Sequence, residues 1–208
     1  MITVYHLTRS RSERIVWLLE ELGIDYRLEV FRREANNAAP AAMKAVHAIG
    51  KAPIIRDGDL VLAESGAIVE YIVRRYGAGR LAHAPDEAGF ARYVYWVHFA
   101  EGSLMSLLLI ALVLSRVPEA KASPVTARID ARVKAMLEFV DGELGAGPWI
   151  AGAEFTAADV MMAFPFTTMR RFLDYDVAPY ANVGAWLARV AARPAYGRAM
   201  ARAGPDAA

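Results

Sequence analysis

Residues 51–71, KAPIIRDGDLVLAESGAIVEY, constrain this chain more than any other stretch. Ile54-Ile55-Arg56 and Leu60-Val61-Leu62 are short apolar-rich runs, and Asp57-Gly58-Asp59 lies between them. An Asp-Gly pair between two strand-like runs predicts a β-hairpin, because the tight turn needs positive φ and glycine takes it without steric cost. After the second run, Glu64-Ser65-Gly66 leads into Ile68, Val69 and Ile72, which have helical spacing. Ser65 suits a helix N-cap, and the N–H groups at such an end attract anions. A ligand carboxylate is expected at Ser65, with Glu64 placed to hold an ammonium group beside it. The plainer alternative is that Ser65 only caps and Glu64 only complements the helix dipole. Pro53 precedes the first run, cannot donate to a ladder, and so marks an edge, a turn or a cis bond. A cis Ala52-Pro53 bond would turn the backbone of Ala52 outward, free to pair with an extended ligand.

The elements around this stretch form a recognisable order. Ile2 to Leu7 reads as a buried strand, short, β-branched and aromatic. Ile15, Leu18, Leu19 and Leu22 lie on one helical face, and Gly23 is a suitable C-terminal stop. Tyr26 to Phe31 is a second strand, and so short a strand-helix-strand unit implies a right-handed parallel crossover. A charged, Asn- and Ala-rich loop follows, then a helix expected from Pro40 to about Val46. With the hairpin and a helix from Ser65 to Tyr76, the order is βαβ-α-ββα, that of a thioredoxin-like α/β domain. Residues 79–87 carry the glycine and proline of a linker. The expected domains are therefore 1–78, thioredoxin-like, and 88–208, all-helical. Within the second, long helical patterns run from Glu87 to about Ser115 and from Val125 to Leu144. Thr156-x-x-Asp159 has the form of a capping box, with Phe155 and Val160 as its hydrophobic staple, and is read as structural. Pro165 is expected to kink its helix, and two short helices, split by Arg193-Pro194, close the chain.

Composition narrows the function. The 208 residues are 56% hydrophobic, ample for a packed core, and the net charge of +1 implies no strong field for nucleic acid or an anionic membrane. Cysteine is absent, which excludes a disulfide scaffold, a cysteine-ligated metal and a catalytic protein thiol. The four histidines show no metal-ligand spacing. The start has no signal-like core, and the most apolar run, Leu104 to Leu114, is about half of what a membrane span needs. A cytoplasmic protein without metal, nucleic-acid or membrane partners is expected.

The segments GKAP (Gly50 to Pro53) and AESGAI (Ala63 to Ile68), in order and correctly spaced, resemble the glutathione-binding segment of the glutathione transferase family. The resemblance extends over nearly all of the chain. It implies a cis Pro53, a backbone bond from Ala52 to the cysteine of glutathione, and a γ-glutamyl end held by Glu64 and Ser65. Lys51 is a candidate for the glycine carboxylate. It also implies a homodimer, and the apolar and aromatic residues of the long helix (Trp96, Phe99) exceed what one small core needs. Ala48 departs from the pattern, since related sequences commonly carry proline there, which touches the stiffness of the loop and not its chemistry. The missing cysteine excludes members that use a cysteine nucleophile.

Glutathione activation needs a stabilised thiolate. A free thiol has a pKa of ~8.5, and a helix N-terminus and nearby cations lower it. Ser10 opens the first helix as a Ser-x-x-Glu capping box with Glu13, and Arg9, Arg11 and Arg14 surround it. Three hydroxyls compete for the thiol. Ser10 lies where serine- and cysteine-type members place their activating residue, Tyr5 lines up with that of tyrosine-type members, and Thr8 lies between. For each a plain reading stands beside the functional one: a cap, a core aromatic, a loop residue. Arg11 is a candidate ligand contact. The acceptor is expected between the domains, near Tyr93, Trp96, Phe99, Ser103 and Met105, although an aromatic stripe at helical spacing also suits a core. The function implied is conjugation of glutathione, as co-substrate, to a small electrophile. Reduction of peroxides or mixed disulfides on the same site, and a non-catalytic binding or scaffolding protein, are the alternatives.

Overall fold

In a computed structural model, which describes residues 1–207, the chain opens with strand β1 (Ile2–Leu7), helix α1 (Glu13–Leu22) and strand β2 (Tyr26–Phe31). β1 and β2 pair in parallel with Ile2 opposite Tyr26, so α1 is the expected crossover. Gly23 ends α1 in the left-handed region at φ 67, where a Cβ would be strained. The short helix α2 (Met43–Val46) begins three residues later than the Pro40 start expected. The N–H groups of Met43, Lys44 and Ala45 donate to the carbonyls of Pro40, Ala41 and Ala42, so Pro40 opens a tighter entering turn ahead of the α-helix.

Strands β3 (Ile54–Asp57) and β4 (Leu60–Ala63) form the predicted hairpin, with Gly58 at φ 58 in the turn. Helix α3 (Ser65–Tyr76) follows. The sheet order is β2-β1-β3-β4, with β3 antiparallel to β1. Alternation along β1 sends Tyr5 and Leu7 to one face, where they pack with Met43 and Ile54, while Ile2, Val4 and His6 are buried on the other.

Met1–Ala82 and the segment that starts at Ala191 make one compact unit; His83–Val190 make the other. In the first unit, helix α9 (Pro194–Ala203) lies against α1. Trp17 and Tyr196 meet edge to face at 4.9 Å. Two neighbouring carboxylates fasten the pair. Glu21 accepts both Nε and Nη2 of Arg193, at 2.6 and 2.8 Å, and Trp17 Nε1 at 2.9 Å. Glu20 accepts from Arg198, Arg202 and Tyr26.

The second unit is helical. Helix α4 (Phe90–Phe99), a π-helical turn (Ala100–Met105) and helix α5 (Ser106–Ser115) form one continuous rod. Helices α6 (Pro124–Leu144), α7 (Ala157–Phe166) and α8 (Ala181–Ala191) complete it. The rod Phe90–Ser115 is long and apolar enough to cross a membrane by length and composition. Tyr93, Trp96, Phe99 and Leu104 are buried within the protein and the rod packs on α6 and α7, while Leu109, Ile110 and Val113 of α5 are exposed. Trp96 stacks on Phe139 at 5.7 Å and meets Phe99 at 4.9 Å. Pro165 sits in the last turn of α7, and the helix stops at Phe166. Its ring removes the N–H that would bond the Met161 carbonyl, and the helix ends one residue later.

Candidate functional site

The register of the sheet gathers the motif residues. Tyr5 lies opposite Ile54 on β3, and Ile54 opposite Ala63 on β4. Both ladders end there, so Ala52 and Pro53 directly precede β3 at the edge where Glu64 and Ser65 directly follow β4. The Ala52-Pro53 bond is cis.

Helix α3 begins at Ser65 itself, and Glu64 occupies the N-cap position without a side-chain cap bond. Ser65 is thus the first helical residue and not the cap. The first bond within the helix runs from the Ile68 N–H to the Glu64 carbonyl, so the N–H groups of Ser65, Gly66 and Ala67 have no intrahelical acceptor. They form an anion-receiving end beside the buried Ser65 side chain. Glu64 has φ 76 and ψ 122, a conformation that side chains rarely adopt and that persists where the surrounding structure imposes it, as at ligand clamps. Its side chain is exposed, as is that of Lys51.

The loop between β1 and α1 differs from the expectation. Ser12, not Ser10, precedes the first helical residue, and the Ser10–Glu13 capping box does not form. Ser12 is already helical at φ −67 and ψ −19, and the entering turn closes on its own backbone. The N–H groups of Glu13, Arg14 and Ile15 donate to the carbonyls of Ser10, Arg11 and Ser12. The free N–H groups expected at Ser10 are therefore occupied. What remains there is the helix dipole, the hydroxyls and the arginines. Ser10 is buried, its Oγ lies 2.7 Å from Ser12 Oγ, and it accepts from the Ser12 N–H at 3.3 Å.

Arg33, which sequence reasoning missed, holds this loop in place. Its Nε donates to the Thr8 carbonyl at 2.9 Å, its Nη2 to the Arg9 carbonyl at 3.1 Å, and its Nη1 to the Asn37 carbonyl at 2.7 Å. Its own N–H donates to Thr8 Oγ1 at 3.3 Å. Burial, together with the neighbouring charges of Arg9 and Arg11, lowers its pKa from the ordinary arginine value. Three guanidinium groups thus share one loop, and an anion there relieves their repulsion. Arg14 is different: it is buried in α1.

Tyr5 points elsewhere. Its hydroxyl accepts from Arg56 Nε at 3.1 Å, and Arg56 lies opposite Thr3, towards the start of β1. Its ring packs among Leu7, Met43 and Ile54. His47 caps its own turn, accepting the Ile49 N–H at 3.2 Å.

In the second unit, Thr156 and Asp159 form both halves of the predicted capping box. Asp159 Oδ1 also accepts from the Ile150 N–H and Trp186 Nε1, each at 2.9 Å. Tyr93, Trp96, Phe99 and Met105 are buried, so this stripe is core; Ser103 is half-buried and, with Leu107, Met136 and Phe139, lines a cleft of about 500 Å³. Among the described residues no group of three acidic, histidine or cysteine side chains could hold a metal ion.

A four-stranded thioredoxin-like sheet that ends in an anion-receiving helix start, followed by a helical unit, defines the class to which this protein belongs. Residues 1–74 match the family model for the glutathione S-transferase N-terminal domain, and residues 104–194 match that for the C-terminal domain. The chain is 36% identical to glutathione S-transferase 3 of Schizosaccharomyces pombe over 94% of its length and 85% of that protein. It is 31% identical to glutathione S-transferase GstB of Escherichia coli over 94% of this chain and 95% of that one. A glutathione S-transferase structure from Actinobacillus pleuropneumoniae superposes with a TM-score of 0.89 at 35% identity, covering 99% of this chain and 95% of that one. A theta-class enzyme of Xanthomonas axonopodis pv. citri, solved with glutathione bound, superposes with a TM-score of 0.76 at 26% identity over 98% of both chains. The chain belongs to the glutathione S-transferase family, and the curated relatives and solved structures it matches are named as glutathione S-transferases, that is, as enzymes.

Proposed function

We propose that the protein binds glutathione across the ends of β1, β3 and β4, with Glu64 and Ser65 at the γ-glutamyl end, Ala52 beside Pro53 along the peptide, and Lys51 at the glycine carboxylate. The sulfur lies at the β1–α1 loop, where Ser10 donates a hydrogen bond to it and Arg11 adds positive charge. The thiol proton leaves to solvent, the thiolate attacks a small electrophile, and the leaving group departs with its electron pair as the carbon–sulfur bond forms. Stabilising the thiolate and holding it near the acceptor are the two rate terms. The observation that carries this reading is the contrast between two hydroxyls. Ser10 sits in the arginine-rich loop at the start of α1, whereas the Tyr5 hydroxyl is bound to Arg56 towards the other end of β1. Thr8 is tied through Oγ1 to the backbone of Arg33 and serves the loop.

The test is the ultraviolet absorbance of the bound thiolate against pH. Ser10→Ala raises the pKa of bound glutathione by about 1 unit, equivalent to about 1.4 kcal/mol of lost thiolate stabilisation. Tyr5→Phe leaves the titration in place. If Tyr5→Phe moves it and Ser10→Ala does not, the enzyme is of the tyrosine type. A panel of electrophiles, peroxides and mixed disulfides then identifies the acceptor class.

A further inference from the structure

Three buried polar side chains form a chain between β1 and α1. His6 Nδ1 lies 2.8 Å from Ser12 Oγ, and Ser12 Oγ lies 2.7 Å from Ser10 Oγ. A hydroxyl has one proton and two lone pairs, so the direction of such a chain can be worked out by counting. The Leu7 N–H donates to Ser12 Oγ at 3.2 Å and fills one lone pair. Two arrangements satisfy the remaining contacts. If His6 Nδ1 accepts, Ser12 gives its proton to the ring, and Ser10 must give its own proton to Ser12. Ser10 then turns a lone pair towards the site, which repels a thiolate. If His6 Nδ1–H donates, both lone pairs of Ser12 are filled and its proton goes to Ser10. Ser10 already accepts from the Ser12 N–H, so both of its lone pairs are filled as well. Its proton is then left to donate outward. The Leu7 carbonyl, 3.4 Å from Ser12 Oγ, is a poor third recipient, because using it leaves one of the two short contacts without a proton.

We propose that His6, in its Nδ1–H tautomer, and Ser12 are positioning residues that fix the Ser10 hydroxyl as a donor to the glutathione sulfur. The proposal rests on the reading that Ser10 contacts that sulfur. Burial, with the charge of Arg33 nearby, lowers the His6 pKa to about 4, so the ring is neutral at ordinary pH and only one of its nitrogens carries a proton. The tautomer thus sets the direction of the whole chain.

Two measurements test this. Nitrogen NMR of the imidazole ring in the unmodified protein with glutathione bound reports the tautomer; a proton on Nδ1 is expected, and a proton on Nε2 alone overturns the proposal without any substitution. The second is the thiolate titration in Ser10→Ala, Ser12→Ala and the double variant. Each single substitution raises the pKa of bound glutathione by about 1 unit, and the double variant matches Ser10→Ala, because Ser12 acts only through Ser10. A shift in Ser10→Ala without one in Ser12→Ala, or additive shifts in the double variant, overturns the relay while leaving Ser10 at the sulfur. No shift in Ser10→Ala overturns the assignment of Ser10 and the relay with it. Should Ser12→Ala fail to fold, the tautomer still decides.

Discussion

At the scale of single residues, the site depends on groups whose partners are spread along the chain. Ser65 is the clearest case, a buried hydroxyl at the start of α3 where the first N–H groups have no intrahelical acceptor. Removing it leaves a ligand carboxylate short of one hydrogen bond to a charged group, worth about 1.5–3 kcal/mol. Ser65→Ala is therefore expected to weaken glutathione binding by roughly 10- to 150-fold in calorimetry. An unchanged affinity would remove Ser65 from the γ-glutamyl site. The spacing of GKAP and AESGAI makes Ala52, Pro53, Glu64 and Ser65 legible as candidates. Ser12 leaves no cap signal that the structure uses: it makes no side-chain cap bond, and its hydroxyl is taken by His6 on β1 and by Ser10. Arg33 leaves none, because an arginine in a charged loop looks like any solvated residue.

At the scale of the element, Asp159 ties the start of α7 to Ile150 and to Trp186 on α8. Asp159→Ala leaves three N–H donors buried without an acceptor, and a loss of about 2–4 kcal/mol is expected in chemical denaturation. Burial raises its carboxyl from 3.8 to about 6, against the opposing pull of those donors. The folded chain thus holds this proton more tightly than the unfolded chain does. The stability it contributes is complete below about pH 3.8 and is lost as the pH rises through about 6. Asp159→Asn cannot titrate, so stability measured between about pH 4 and about pH 7 should lose that falling component. If the variant and the parent show the same dependence, Asp159 is ionised throughout. This box is legible in the sequence alone as Thr-x-x-Asp, because a cap is a local device. The predicted box at Ser10 fails for an equally local reason, since the backbone turn satisfies the N–H groups first.

At the scale of the whole molecule, the last helix returns to the first unit and is fastened to α1 through Glu20 and Glu21. Glu21 is nearly buried and holds Arg193 through two hydrogen bonds. Glu21→Ala should cost about 2–3 kcal/mol, a fall in Tm of roughly 5–10 °C by calorimetry, because Arg193 and the Trp17 N–H lose their common acceptor. A Tm within about 1 °C of the parent would show that α9 is held by packing alone. Association is the other question at this scale. Trp96 and Phe99, whose place in the sequence suggests a dimer face, are buried. Other apolar side chains of the helical unit are exposed, among them Tyr95, Ile110, Val113 (62%) and Phe139. A homodimer that covers such residues is expected in sedimentation at micromolar concentration, and a monomer there would exclude it.

The sequence by itself determined the element types, the Gly58 turn, the Thr156 box and the positions of the glutathione motif, since each depends on neighbours a few residues away. Tertiary structure decided the rest. The Tyr5 hydroxyl is turned to Arg56, 51 residues on, by the pairing of β1 with β3. Arg33 grips a loop 25 residues back, and Arg193 reaches Glu21 across 172 residues. Which of several hydroxyls faces the sulfur is a matter of direction in space. Direction follows from strand register and from the partner each polar group finds, and neither is encoded in local spacing.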